Sequence, residues 1–268
     1  MNRPEMQRRT MVFAIGGGAA ALALAAWWFL VPGRLGLAQP RLVIVSGDAR
    51  VDDARAKVAQ TLAVGATVRT GYGSACFSLH ESRVCVGAQS EVHLADLGKA
   101  SAIVEARRGT VVVVSTTDEV HVSVPSAGGL DVHGGMASIE GAGGDPVVRA
   151  LDGSATVEAS GRDDTVVAAP TAMGLRDGSK RAANPALEGE ERGIAQLAHR
   201  WQGSAGGTIE VTGLRGRLSI DGTDVGTPPA AVLLDEGEHT LEIHDVAREG
   251  TKEKLTLHGG QKVVRGGS

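Results

Sequence analysis

The residues that could do chemistry are few. Two cysteines occur, Cys76 and Cys85, and they do not form a C-x-x-C pair, so neither a zinc ribbon nor a thioredoxin-type motif is available. The eight histidines are scattered. His239 and His244 are five positions apart, so on one continuous strand they point to opposite faces and cannot share a metal ion. His133 and His258 each precede Gly-Gly, a turn signal. The histidines are therefore expected to be solvated or turn residues. The doublets Asp52-Asp53, Asp163-Asp164 and Asp235-Glu236 lie beside turn residues, where short carboxylates bond their own backbone, and none has the spacing of a calcium loop.

Common catalytic frameworks are also missing. There is no G-x-x-x-x-G-K-[ST] phosphate loop and no G-x-S-x-G nucleophile elbow. Gly71-Tyr72-Gly73 resembles the start of a dinucleotide loop, but Cys76 stands where the third glycine belongs, and no helix follows. The expectation is a non-enzymatic protein with no catalytic residue, no cofactor and no metal ligand. A net charge of -4 with no basic block in the body of the chain gives nucleic acid no electrostatic footprint.

The elements that would carry these residues read as strands. Aromatics make up 3% of the 268 residues while glycine is abundant, which suits short strands and tight turns better than long helices. Ser74 to Val86 reads as a hairpin. If His80-Glu81 is its two-residue loop, Cys76 faces Cys85 at a non-hydrogen-bonded pair, where Cα atoms lie about 4.5 Å apart. A disulfide accepts that distance. The alternative is two buried free thiols. Leu42 to Val45 is apolar on both alternating sets, Thr110 to Ser115 is largely apolar, and Val120, Val122 and Val124 alternate with Glu119, His121 and Ser123. Further short strands fit 137–139, 147–150, 155–158 and 165–168, so 41–175 reads as one β domain. Residues 176–205 form a linker, in which Ile194, Leu197, Ala198 and Trp201 share a face of a short helix over about 187–201. From 206 to 268, spaced-by-two apolar pairs such as Ile209/Val211 and Leu241/Ile243 mark a second β domain, near the lower size limit for one that folds alone.

The N-terminus sets the compartment. Arg3, Arg8 and Arg9 precede an uncharged stretch from Met11 to Val31, long enough to cross a hydrocarbon core about 30 Å thick. Trp27 and Trp28 fit the membrane interface, Pro32-Gly33 stops the helix, and the basic flank 1–10 is expected to stay in the cytoplasm. Residues 32–40 then link this helix to the exported part. Gly36-Leu37-Ala38 leaves open a cleaved signal peptide with a mature end at Gln39. Either way the bulk of the chain is exported, and the anchored form is a single-pass protein of a bacterial inner membrane.

Two resemblances follow from ordered motifs. Val45-Ser46-Gly47-Asp48-Ala49-Arg50-Val51, Leu62 to Ser74, Phe77 to Gly87, Arg108-Gly109-Thr110-Val111, Val122 to Gly128 and Asp152 to Val157 together resemble a FecR-type periplasmic domain. Leu214 to Gly222, Val225-Gly226-Thr227-Pro228-Pro229 and Asp235 to Leu241 resemble a PEGA domain. The resemblances imply an all-β protein, with a FecR-like β-sandwich or β-roll followed by a small PEGA-type β-sandwich. FecR-type regulators carry a cytoplasmic domain ahead of the membrane helix, whereas about ten residues stand there in this sequence. The joint implication is an envelope protein that binds or scaffolds envelope macromolecules, with envelope or membrane proteins or cell-wall polymers as partners. The rival is a FecR-related component that relays an external signal through a partner membrane protein.

Overall fold

The computed structural model describes residues 39–79, 81–98, 101–181, 193, 206–214, 216–244 and 250–266. The expected tail 1–10, the membrane segment 11–31, and the linker helix over 187–201 apart from Gly193 lie outside the described residues. Among the described residues no helix is long and apolar enough to cross a membrane.

The described chain is almost entirely β. It begins with β1 (Leu42–Ser46), β2 (Arg50–Val51), β3 (Ala54–Arg55) and β4 (Thr67–Arg69), and continues with β5 (Ala75–Leu79), β6 (Ser82–Val86) and β7 (Glu91–Leu97). Two long strands follow, β8 (Ser101–Val124) and β9 (Gly128–Ala142). The sequence pattern reads 110–115 and 119–124 as separate runs. The structure keeps β8 continuous, with register shifts between Gly109 and Val111 and between Ser115 and Glu119. Bulges of this kind bend a strand without ending its ladder, which is why the glycine punctuation does not become a turn. Along its bent length β8 pairs first with β7 and then, from Gly109 onward, with β9 on one edge, while β6 takes its other edge at Val111–Val114; β9 in turn pairs with two further strands. These are β10 (Val147–Asp152) and β11 (Ser154–Ala159), followed by β12 (Thr165–Ala168), β13 (Ala172–Gly174) and β14 (Lys180–Arg181). The sheet so formed wraps a core built from residues between Leu42 and Leu175, with Phe77, Leu79, Leu94, Leu130 and Ile139 fully buried.

The C-terminal strands are β15 (Gly207–Thr212), β16 (Arg217–Ile220), β17 (Thr223–Gly226), β18 (Ala230–Leu234), β19 (Gly237–His244), β20 (Thr251–Leu257) and β21 (Lys262–Gly266). β16 and β17 meet at Asp221-Gly222, whose φ angles of 50° and 76° make the tight turn that this dipeptide favours. β17, β16, β19 and β20 form a separate four-stranded sheet. β21, β15 and β18 take another course and extend the first sheet, because β18 pairs antiparallel with β1 through Ile44↔Val232 and Val45↔Ala231. All these strands belong to one compact unit, Gln39–Ser268.

β1 is thus the seam. It pairs with β5 on one edge and β18 on the other. Both its faces are covered, Leu42 and Val45 by the first core and Val43 and Ile44 by a second. A strand buried on both sides needs apolar residues at every position rather than at alternate ones, as its sequence has. The second core is shared. It joins Val43, Ile44, Val112, Val114, Met136 and Leu151 to Ile209, Val211, Leu218, Ile220, Val232 and Leu241.

Candidate functional site

The short motifs noted at 45–51, 70–74 and 225–229 meet at the end of this seam. Ser46 Oγ accepts the Ser74 amide at 2.9 Å, and Ser46 N donates to Ser74 O at 2.8 Å. Asp48 Oδ1 accepts the amides of Gly71 and Tyr72 at 2.8 and 3.1 Å. Gly47 N donates to Pro229 O at 2.7 Å, tying this turn to the C-terminal strands. Gly73 must lack a side chain here, since a Cβ would stand 1.9 Å from the Ser46 carbonyl oxygen. The residues of these motifs therefore work as joinery.

Beside the junction lies an open groove of about 640 Å³. Its floor is the face of β1, β18 and β15 turned away from the second core, including Val45, Ala231 and Thr208. Val264, 52% exposed, lies across from Glu210 in the parallel β15–β21 ladder. Arg55, Lys57 and Lys262 supply cations along the walls. Lys262 Nζ is 2.8 Å from Glu210 Oε1, whereas Arg55 and Lys57 have no acidic partner among the described residues. The groove can accept an extended or bulky anionic group against a floor of mixed character, with Val45 and Ala231 beside Thr208, Glu210 and Thr212.

Cys76 and Cys85 lie opposite one another in the β5–β6 ladder, which runs Leu79↔Ser82 to Ala75↔Val86. They are joined as a disulfide with Cα atoms 4.0 Å apart. Both sulfur-bearing residues face the shared second core.

The histidines divide. His239 and His244 do lie apart, His239 buried and His244 with 60% of its side chain exposed. His239 is nonetheless neither solvated nor in a turn. Its Nδ1 is 2.9 Å from Asp221 Oδ2, its Nε2 is 3.0 Å from the Asp235 carbonyl, and Asp221 Oδ1 accepts the Thr240 amide at 2.8 Å. This fixes the Asp-Gly turn to β19 and accounts for the acid and the histidine in that stretch of sequence. The Asp52-Asp53 doublet also serves the backbone. Both residues take positive φ, 47° and 65°, and Asp52 Oδ1 accepts the Thr67 amide at 2.8 Å.

His121 is the residue that sequence reasoning passed over. It stands opposite Asp131 in the β8–β9 ladder, with Nδ1 2.7 Å from Asp131 Oδ1. β11 flanks β9 on its other side and brings Glu158 to the same polar face. The donor atoms of His121, Asp131 and Glu158 all lie within 4.8 Å of one another, and all three residues are half-buried. Burial, and then the neighbouring Asp131 carboxylate, push the Glu158 carboxyl above its usual range. The β8–β9 half was legible, because a turn at Pro125-Ala127 pairs His121 with Asp131. β11 joins only after β10 intervenes, and no local signal announces it.

No family model matches the chain, and no curated protein matches it. Two crystal structures of a proposed anti-sigma factor from Parabacteroides distasonis ATCC 8503 are similar to part of it. One has 14% identity and a TM-score of 0.37 over 44% of this chain and 60% of that one. The other has 12% identity and a TM-score of 0.38 over 58% and 65%. The chain thus spans less than two thirds of the length of either.

Proposed function

We propose that this is a non-enzymatic, membrane-anchored envelope protein that binds or scaffolds an anionic envelope macromolecule along the groove between β3 and the β1–β18–β15 face. In this reading a FecR-like β-roll carries a PEGA-like module as a rigid extension, and the Met11–Val31 segment holds both outside the cytoplasm. The observation that carries it is the groove itself, where Val45 and Ala231 lie beside polar Thr208 and Thr212 and the walls carry Arg55, Lys57 and Lys262, with Arg55 and Lys57 lacking an acidic partner among the described residues. Unpaired cations beside apolar surface favour a partner that offers both negative charge and carbon.

The second reading, a relay to a partner membrane protein, is favoured by β1. The strand nearest the expected anchor is the one that both modules pair with, so an event in the groove acts on it directly. Photo-cross-linking in living cells from exposed Thr212, which lines the groove, tests the main reading. A partner captured there, lost on Arg55→Glu with Lys57→Glu and absent from a probe at exposed Val166, is the expected result. Identical adducts at both positions would overturn it. A captured membrane protein whose contact with the segment 11–31 changes in the charge-reversed variant would favour the relay.

A further inference from the structure

We propose that His121, Asp131 and Glu158 form a binding site for one divalent transition-metal ion of the zinc type, on the outer face of β8, β9 and β11. The argument begins with placement. β8 carries His121, β9 carries Asp131 directly across from it, and β11 carries Glu158 across from Gly129, two residues along β9. Three adjacent strands of a continuous sheet fix these Cα positions, so little chain entropy is lost when the side chains converge on an ion.

The donor set suits the class. Zinc takes imidazole nitrogen and carboxylate oxygen at about 2.0–2.2 Å, so bound donors lie roughly 3–4 Å apart. The three atoms here fall within 4.8 Å of one another, a spread that side-chain rotation alone can close. One nitrogen and two oxygens make a harder set than the thiolates of structural zinc sites, yet the imidazole favours a transition metal over calcium or magnesium.

Gly129 makes the room. A Cβ at that position would stand 2.7 Å from His121 Cε1 and 3.0 Å from Nε2. The imidazole therefore lies over a bare glycine, with Nδ1 turned toward the carboxylates. The local charge also calls for a cation. The β11–β12 ladder runs to Val157↔Thr165, and continuing it by one pair sets Asp164 beside Glu158. Three carboxylates then lie around one imidazole. An ion here would pin β11 to the β8–β9 hairpin and leave coordination positions on the solvent side.

The test uses the full-length chain, purified without a metal-affinity tag, stripped with chelator and titrated with zinc chloride by calorimetry, with bound metal counted by elemental analysis. The expected result is one equivalent of zinc. His121→Gln, Asp131→Asn and Glu158→Gln should each weaken binding at least about tenfold, as should Gly129→Ala, which displaces the ring while leaving all three donor residues in place. His258→Gln should leave binding unchanged. Zinc should also raise the melting temperature of the parent protein and not that of Glu158→Gln, whose near-ultraviolet spectrum reports whether it has folded. Failure to retain zinc would overturn the proposal. So would one equivalent bound with equal strength in the three donor variants, which would place the ion elsewhere, or calcium and magnesium bound as tightly as zinc, which would mark a plain acidic patch.

Discussion

The two apolar cores differ in where their residues come from. The first draws every member from between Leu42 and Leu175. The second takes members from both halves, with Ile44, Val114 and Leu151 packed among Ile209, Ile220 and Leu241. The first core is therefore built by the N-terminal strands alone, while the second buries side chains of both halves against one another. A segment of about sixty residues can bury little on its own, and the β1–β18 ladder gives it a second module's face to cover. Phe77 in the first core and Leu241 in the second probe this directly, since each is almost fully buried. Phe77→Ala should cost about 3–5 kcal/mol and Leu241→Ala about 2–5. If the cores are coupled as the shared cluster implies, both substitutions lower one common thermal transition. A separate early transition in Leu241→Ala, with the rest of the melt unmoved, would break the comparison.

The disulfide sharpens it. Both cysteines belong to the first module's hairpin, yet they face the second core. The bridge closes a loop across a separation of nine residues, for which chain entropy alone implies about 2–3 kcal/mol. Replacing both cysteines with alanine should lower the common transition by that order, and the parent protein should lose the same amount in reductant. Intact mass after alkylation, with and without reduction, counts the thiols. If reduction leaves the melt unchanged, the bridge does not support the shared core.

Two glycines separate crowding from backbone freedom. Gly73→Ala forces a methyl against the Ser46 carbonyl at the junction, whereas Gly222→Ala meets nothing within 4 Å and suffers only from a φ of 76°. We expect about 1–3 kcal/mol for the first and about 1 kcal/mol for the second, measured by denaturant unfolding. Equal costs would mean that the turn at the end of the seam yields more easily than its packing suggests.

These contrasts also mark how far the sequence could be read. Alternation at Val120, Val122 and Val124 was enough for an all-β chain, and a two-residue loop was enough to set Cys76 against Cys85. Both signals are local, since a hairpin's register follows from its loop. The pairing of Ile44 with Val232 is not local. The only trace of it was that Leu42 to Val45 is apolar at every position, which says that both faces are buried but not by what. Gly109 sits at a bulge rather than a turn, and its sequence did not say which, because a bulge and a turn use the same residue. The His121 cluster stayed hidden for a related reason. Two of its members share a hairpin, but the third arrives on a strand whose neighbour in space is not its neighbour in sequence.

The smallest expected effect concerns an exposed clasp between the two sheets. Glu253 lies in β20, in the four-stranded sheet, and Arg265 lies in β21, in the sheet that contains the seam. Arg265 Nε donates to both Glu253 oxygens at 3.0 and 2.9 Å, so the pair spans the two sheets. That hydrogen bond, aided by the guanidinium charge, holds the Glu253 carboxyl below its usual range. A depressed folded-state value means that the contribution is present above the ordinary carboxylate range and is lost as pH falls through the depressed value. Both side chains are more than a third exposed, so solvent screening keeps the contribution under about 1 kcal/mol. Glu242 provides the control. Lys252 likewise lowers its pKa, but both residues belong to the four-stranded sheet. Glu253→Gln should therefore flatten part of the acid limb of the stability curve and loosen β21, read as faster amide exchange at Val263 and Val264. Glu242→Gln should alter the same limb with no change at β21. Should Glu253→Gln leave exchange in β21 untouched, the pair would be a surface contact only, and the two sheets would be held together by the shared core without it.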